Sequence, residues 1–134
     1  MLHRINIQTK SGVEFQDITP QVKGAVAKSS IKNGICHVVT LHTTSALTIN
    51  ENADPDVVKD LIDGLDSLAP QHAHYHHREG NSPAHIKASI IGNSTTLVIE
   101  DGKLLLGTWQ GIFFCEFDGP RNRSVLIKVM PDDQ

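Results

Sequence analysis

Aromatic residues are scarce in this sequence: one Trp, one Tyr and four Phe make up 4% of 134 residues. Cysteine is scarcer still. Cys36 and Cys115 are the only two, each alone in an apolar run. That excludes any CxxC metal or redox pair and points to two buried free thiols in a reducing cytoplasm, with a disulfide as the alternative. Positive charge is not in excess, with 12 Lys and Arg against 15 Asp and Glu for a net charge of −3. Nucleic acid and anionic membrane surfaces are therefore not expected as partners, because neither finds a basic footprint. No apolar run approaches the roughly 18 residues of a membrane span, and the start "MLHRINIQTK" lacks a signal-peptide apolar region. Repeats, linkers and low-complexity segments are also missing. What remains is a single domain over residues 1–134, 39% apolar with a mean hydropathy of −0.19. A chain of this size buries about two-thirds of its extended surface.

Local patterns predict mixed secondary structure. "LHRINIQT" and "VEFQDI" alternate with period two around Ser11-Gly12 and predict an opening hairpin. Thr19-Pro20 reads as N-cap and first helical position, with Val22, Ala25 and Val26 behind it and Asn33-Gly34 as a stop. "ICHVVTL" reads as a strand buried on both faces, followed after the break "HTTSA" by the strand "LTIN". Asp54-Pro55 starts a helix with the apolar stripe Val58, Leu61, Ile62, Leu65 and Leu68, ended by Pro70. Ser82-Pro83 starts a short helix that stops at Gly92. The rest reads as strands: "TTLVIE", a turn at Asp101-Gly102, "KLLLG", "IFFCEF", a turn at Gly119-Pro120 and "SVLIKV". Two or three helices among about seven strands give an α+β class, a mostly antiparallel β-sandwich-like core with flanking helices.

Histidine is the abundant exception. "HYHHREGNSPAH" (74–85) holds four of the chain's eight. If residues 72–76 run extended, His72, His74 and His76 point one way and His77 the other. His85 falls in the first turn of the helix that Ser82 caps, an end that suits an anion such as phosphate. His42 leaves the buried strand at the opening of "HTTSA". His37 has the opposite strand parity. Three histidines from three segments form a common open zinc site; the bland alternative is a solvated loop with scattered imidazoles.

Three longer stretches then resemble a known family. "HTTSALTINENADP" (42–55), "EGNSPAHIKASIIG" (79–92) and "GTWQGIFFCEFDGPR" (107–121) are similar to the signature blocks of the YjbQ-like family, in order and spacing. Its members are often labelled secondary thiamine-phosphate synthases or left uncharacterised. The resemblance implies a compact α+β domain that assembles as a homotrimer. It also implies a polar pocket near the subunit boundary where His42, His76 and His85 hold a divalent, zinc-type metal. Counting back from Glu79-Gly80 selects His76 over His77.

The polar residues of these blocks admit two readings each. Thr43, Thr44 and Ser45 either hold an oxyanion beside His42 or satisfy a turn. Glu51 is either a catalytic general base near a metal-bound water or a carboxylate that orients a histidine. Asn81 lies in the block just before His85 and joins the substrate-binding set. Trp109 and Gln110 lie between Gly107 and Gly111, which let a backbone approach a ligand; the indole either stacks on a flat ring or fills a core or subunit contact. Glu116 needs a partner, which Arg121 or Arg123 supplies, and Arg121 can equally act catalytically as a phosphate clamp. Asp54 caps its helix.

The family label implies that a pyrimidine diphosphate and a thiazole phosphate are joined, so the expected substrate is small and phosphorylated. Imidazole ligands depart from the oxygen-held magnesium usual in diphosphate chemistry, and no DDxxD-like cluster is present. The expectation is therefore a metal-dependent enzyme with thiamine-phosphate synthase as a secondary activity. Its alternatives are a zinc-type hydrolase of a small ester or phosphorylated metabolite, and a non-catalytic metal or small-ligand binding protein.

Overall fold

The computed structural model describes residues 1–133. In chain order these fold as β1 (Leu2–Gln8), β2 (Glu14–Asp17), α1 (Thr19–Ser29), β3 (Gly34–Thr40), β4 (Ser45–Glu51), α2 (Pro55–Leu68), α3 (Ser82–Ile91), β5 (Ser94–Glu100), β6 (Lys103–Leu104), β7 (Gln110–Glu116) and β8 (Asn122–Pro131). Five strands form one sheet in the order β1-β8-β3-β5-β6, and three form a second in the order β2-β7-β4. All pairs are antiparallel. The α+β class and the mostly antiparallel core match the expectation.

Alternation explains the layers. In β8, Arg123, Val125, Ile127 and Val129 are buried on every second position. In β7, Ile112 and Phe114 meet them in a core closed by Val22 and Val26 of α1. The intervening β7 residues Phe113 and Cys115 face the other way, packing with Ala46, Leu65 of α2, and Ala84 and Ala88 of α3. β7 is thus buried on both faces, each large side chain contributing about 2–3 kcal/mol.

The opening hairpin does not form. β1 pairs with β8 and β2 pairs with β7, in different sheets. Period two reports which residues alternate and is silent about the partner, so the turn at Ser11-Gly12 proves to be a corner between sheets. The chain crosses sheets again between β3 and β4 and between β7 and β8. These three corners meet at one end of the sandwich: the Gly119 N–H bonds the Gly12 carbonyl at 2.9 Å, the Phe117 N–H the Thr44 carbonyl at 3.2 Å, and the Thr9 N–H the Arg121 carbonyl at 3.0 Å.

Other boundaries shift for local reasons. β4 begins at Ser45, inside the expected break. β3 buries one face fully and the other only partly. Thr19 opens α1, but Asp17 Oδ1 accepts its N–H at 2.9 Å, while the Thr19 hydroxyl oxygen accepts the Ile112 N–H at 2.8 Å. Asp54 caps α2 as expected, accepting the Asp56 N–H at 2.9 Å. Of the α2 stripe only Leu65 is fully buried, and Leu68 is exposed. Asn81 precedes α3, yet its side chain makes no capping bond. No helix among the described residues is long and apolar enough to cross a membrane.

Candidate functional site

The meeting of the three corners creates a cleft of about 510 Å³ lined by His42, Thr44, His77, His85, Arg121 and Arg123, with Thr43, Glu79, Asn81 and Asp118 at its sides. Its foundation is a buried ion pair. Glu116 follows Ile112 and Phe114 on the inner face of β7, and Arg123 precedes Val125 on the inner face of β8, so the sandwich core ends in opposite charges. Arg123 Nε donates to Glu116 Oε1 at 2.8 Å and Nη2 donates to Oε2. Nη2 also donates to the Thr44 hydroxyl oxygen at 2.8 Å. Glu116 further accepts the Thr9 hydroxyl at 2.8 Å and the Asp118 N–H at 3.0 Å. Burial alone would raise the Glu116 pKa, but these hydrogen bonds, Arg123's first among them, hold it below the ordinary carboxylate range. Of the two arginines weighed as its partner, Arg123 takes the role.

His42 stands on the corner from β3 to β4. Its Nε2 accepts the Ser124 N–H at 3.0 Å. Burial, and then the neighbouring Arg123, lower its pKa against the opposing pull of Glu116. The ring is therefore neutral, and with Nε2 accepting, its hydrogen belongs on Nδ1. The hydroxyls beside it divide. Ser45 and Thr40 share a hydrogen bond of 2.8 Å and satisfy the corner itself. Thr44 accepts from Arg123, which leaves its own hydrogen for the cleft. At the rim, Arg121 donates through Nε to the Asp118 carbonyl at 2.7 Å and through Nη2 to its carboxylate at 3.1 Å. Asn81 Nδ2 donates to Asp118 at 2.9 Å and Glu79 at 3.0 Å.

The expected metal set does not assemble. His42 and His85 line the cleft, but His76 does not: it lines an adjoining depression with His74, Tyr75 and Ile86, which His77 and His85 also border and His42 does not reach. His77 takes the place given to His76, its ring centroid 5.7 Å from that of His85 and nearly perpendicular to it. Residues 72–81 are not a strand, so strand parity does not apply to them. Nor does the donor chemistry fit: a neutral imidazole accepting at Nε2 has no second lone pair to offer a metal at Nδ1. Among the described residues no group of three or more His, Cys, Asp or Glu side chains is arranged to hold a metal ion.

Glu51, Trp109 and Gln110 belong to the opposite end of the sandwich. β4 pairs with β7 from Ser45–Glu116 at the cleft to Glu51–Gln110 at the far end. Six residue steps separate Ser45 from Glu51, roughly 20 Å of strand. Glu51 cannot act on a group at His42 of the same chain. Trp109 is 62% exposed, and Gln110 Oε1 accepts the Gly107 N–H at 2.7 Å within its own turn. Gly111 is required for packing: a Cβ there would lie 2.5 Å from the Asn52 side chain. Of the cleft residues, Asp118 went unread in the sequence, His77 was set behind His76, and Arg123 was weighed only as a partner of Glu116. The alternation of Arg123 with Val125, Ile127 and Val129 was the legible signal.

A family model described as UPF0047 protein YjbQ-like matches residues 3–132. A UPF0047 protein of Methanocaldococcus jannaschii is 51% identical over 132 residues, covering 98% of this chain and 96% of its own. The UPF0047 protein YugU of Bacillus subtilis is 47% identical, covering 97% and 99%. Among crystal structures, an uncharacterised conserved protein of the YjbQ/UPF0047 family from Clostridium acetobutylicum superimposes with a TM-score of 0.94 at 51% identity, covering 96% and 99%. A YbjQ-like protein of unknown function from Sulfolobus solfataricus gives 0.95 at 32% identity, covering 98% and 97%. These names assign no thiamine-phosphate synthase and no metal-dependent activity. With these relatives of unknown function and no metal-holding group among the described residues, the expected metal-dependent thiamine-phosphate synthase is overturned, and the zinc-type hydrolase with it.

Proposed function

The chain belongs to the UPF0047 YjbQ-like family, and from that premise we propose an enzyme that holds a small molecule by an oxyanion, phosphate or carboxylate, in the corner cleft and exchanges a proton with it through His85. One observation carries the reading. The Ser124 N–H fixes the His42 ring by its Nε2, so the remaining nitrogen is a donor without a charge of its own. The Thr44 hydroxyl and the guanidinium of Arg123 stand beside it. Hydrogen bonds to an ionised acceptor are roughly twice as strong as neutral ones, and partial burial strengthens them further. Because Glu116 already balances Arg123, an anion here is held by directed donors more than by net charge. His85, in the first turn of α3, presents its imidazole to the same cleft as the proton-exchanging group.

The setting is a cytoplasmic homotrimer. Both cysteines are free and buried, in keeping with a reducing compartment. The outer face of the five-stranded sheet carries Ile35, Val39 and Leu126, half-buried, and Val98 and Met130, exposed, a surface suited to a second copy. Sedimentation equilibrium is expected to return three chain masses; a single chain mass removes the trimer.

The binding test uses inorganic phosphate as the probe. Titration followed by amide NMR is expected to move Thr44 and Ser124 saturably. In His42→Asn a side-chain amide keeps a donor near the place of Nδ1, so affinity should stay within about threefold. In His42→Gln only the contact toward Ser124 is imitated, and affinity should fall about tenfold. His85→Gln should retain phosphate while losing turnover of whichever small acid the wild-type protein consumes from a metabolite mixture. No saturable phosphate binding, or equal losses in the two His42 variants, sinks the reading.

A further inference from the structure

We propose that a second cavity, enclosed by α2, the loop of residues 70–80 and α3, binds an uncharged flat molecule that presents a hydrogen-bond acceptor beside a donor, as the edge of a lactam or carboxamide does. It measures about 390 Å³, within the range of small-molecule sites, and adjoins the corner cleft at Asn81 and Asp118, which line both. This inference does not rest on the oxyanion reading.

The cavity is built around Lys87. This residue lies on the buried face of α3 with Ala84 and Ala88, and is only 5% exposed. A lysine so placed needs a partner, because its ammonium has lost its water. Lys87 Nζ donates to Asp66 Oδ1 of α2 and stands 5.9 Å from the centre of the Phe117 ring. The pair is unequal: the Lys87 side chain is 6% exposed and that of Asp66 54%. A tie between two helices needs no such asymmetry, and buried ion pairs are in any case poor stabilisers. An ammonium has three donors, and Asp66 takes one. The arrangement holds a desolvated donor inside the cavity with a carboxylate at the rim beside it.

That pattern selects the ligand. Lys87 calls for an acceptor and the second oxygen of Asp66 for a donor. An anion is opposed by the Asp66 carboxylate and a cation by the Lys87 ammonium, so the complementary molecule is neutral. Pro83, Ala84 and Phe117 form an apolar wall that suits a flat ring. The partition toward the corner cleft adds a second acceptor. Two carboxylates, of Glu79 and Asp118, fix the Asn81 amide by its Nδ2, which leaves Oδ1 buried without a partner among the described residues. Buried acceptors are rarely left so, and a ligand N–H would satisfy it.

The test titrates the full-length protein with 2-pyridone, benzoate and toluene, read by amide NMR. 2-Pyridone is expected to move Asn81, Lys87 and Phe117 saturably, with benzoate and toluene at least about tenfold weaker, the effect of one lost charge-assisted hydrogen bond. Lys87→Met should abolish the preference. Should that variant unfold, Asp66→Asn at the exposed rim serves instead and should let benzoate bind as well as 2-pyridone. Equal affinity for toluene, unchanged selectivity in a folded variant, or no saturable shift at these residues overturns the proposal. Shifts at Thr44 and Ser124 report the corner cleft, so the two sites succeed or fail separately.

Discussion

The ladder between β4 and β7 ends in two different ways. At Ser45–Glu116 the side chains are fully buried, and a carboxylate is held by a guanidinium, a hydroxyl and a backbone N–H. At Glu51–Gln110 they are partly or fully exposed, and the polar groups serve local turns. Each end carries a glutamate of similar appearance in the sequence, Glu116 at the first and Glu51 at the second. The difference lies in what closes each end. Three sheet-crossing corners seal the first, excluding water and strengthening every hydrogen bond inside; the second opens to solvent, where the same groups interact weakly.

Arg123→Met should break this contrast most severely. It strands the Glu116 carboxylate in the core, an effect of about 3–5 kcal/mol in similar pairs, read by urea denaturation. A loss below about 1 kcal/mol, the scale of an exposed pair, would place both ends in the same class.

Glu116→Gln should come next, at about 1–3 kcal/mol at pH 7, since Gln keeps some of the hydrogen bonds but not the charge. Its sharper signature is in pH. Glu116 binds its proton less readily in the fold than in the unfolded chain. Its contribution is therefore present above the ordinary glutamate pKa of about 4.3 and is lost as pH falls below it toward the depressed folded value. Glu14 and Asp17 are depressed as well and share this acid limb, so the measurement is the difference between wild type and variant: the variant's stability should fall less steeply below about pH 4. Parallel acid limbs would refute it.

Glu51→Gln completes the series. At the open end it should change stability by no more than about 0.5 kcal/mol and leave phosphate affinity unaltered. A clear loss of phosphate binding would mean that the far end of one copy reaches the cleft of another.

Legibility followed the range of each signal. Asp54 before Pro55 and the Asp101-Gly102 turn are local chemistry, and both formed where they were read. The opening hairpin failed because alternation cannot say whether Ile7 will face a neighbour about nine residues on, across the Ser11-Gly12 turn, or a strand more than a hundred residues later. His76 was preferred to His77 by counting along a stretch that is not extended. Glu51 was drawn toward His42 because they share one block, yet a straight strand turns nine positions of sequence into a long distance. The choice between Arg121 and Arg123 as the partner of Glu116 was recoverable: a charge in phase with Val125, Ile127 and Val129 belongs on the buried face, and only a partner such as Glu116 makes that tolerable.

The pairing of Leu2 with Lys128 and of Glu14 with Glu116 has a consequence for synthesis. Neither sheet can be completed until β7 and β8 have been made, because β1 and β2 each wait for one of these late strands. Until then the early segments stay unpaired, with their hydrogen-bonding edges open. Closure then comes in one late event, and its rate should be limited by long loop searches of the kind that slow β-rich folding.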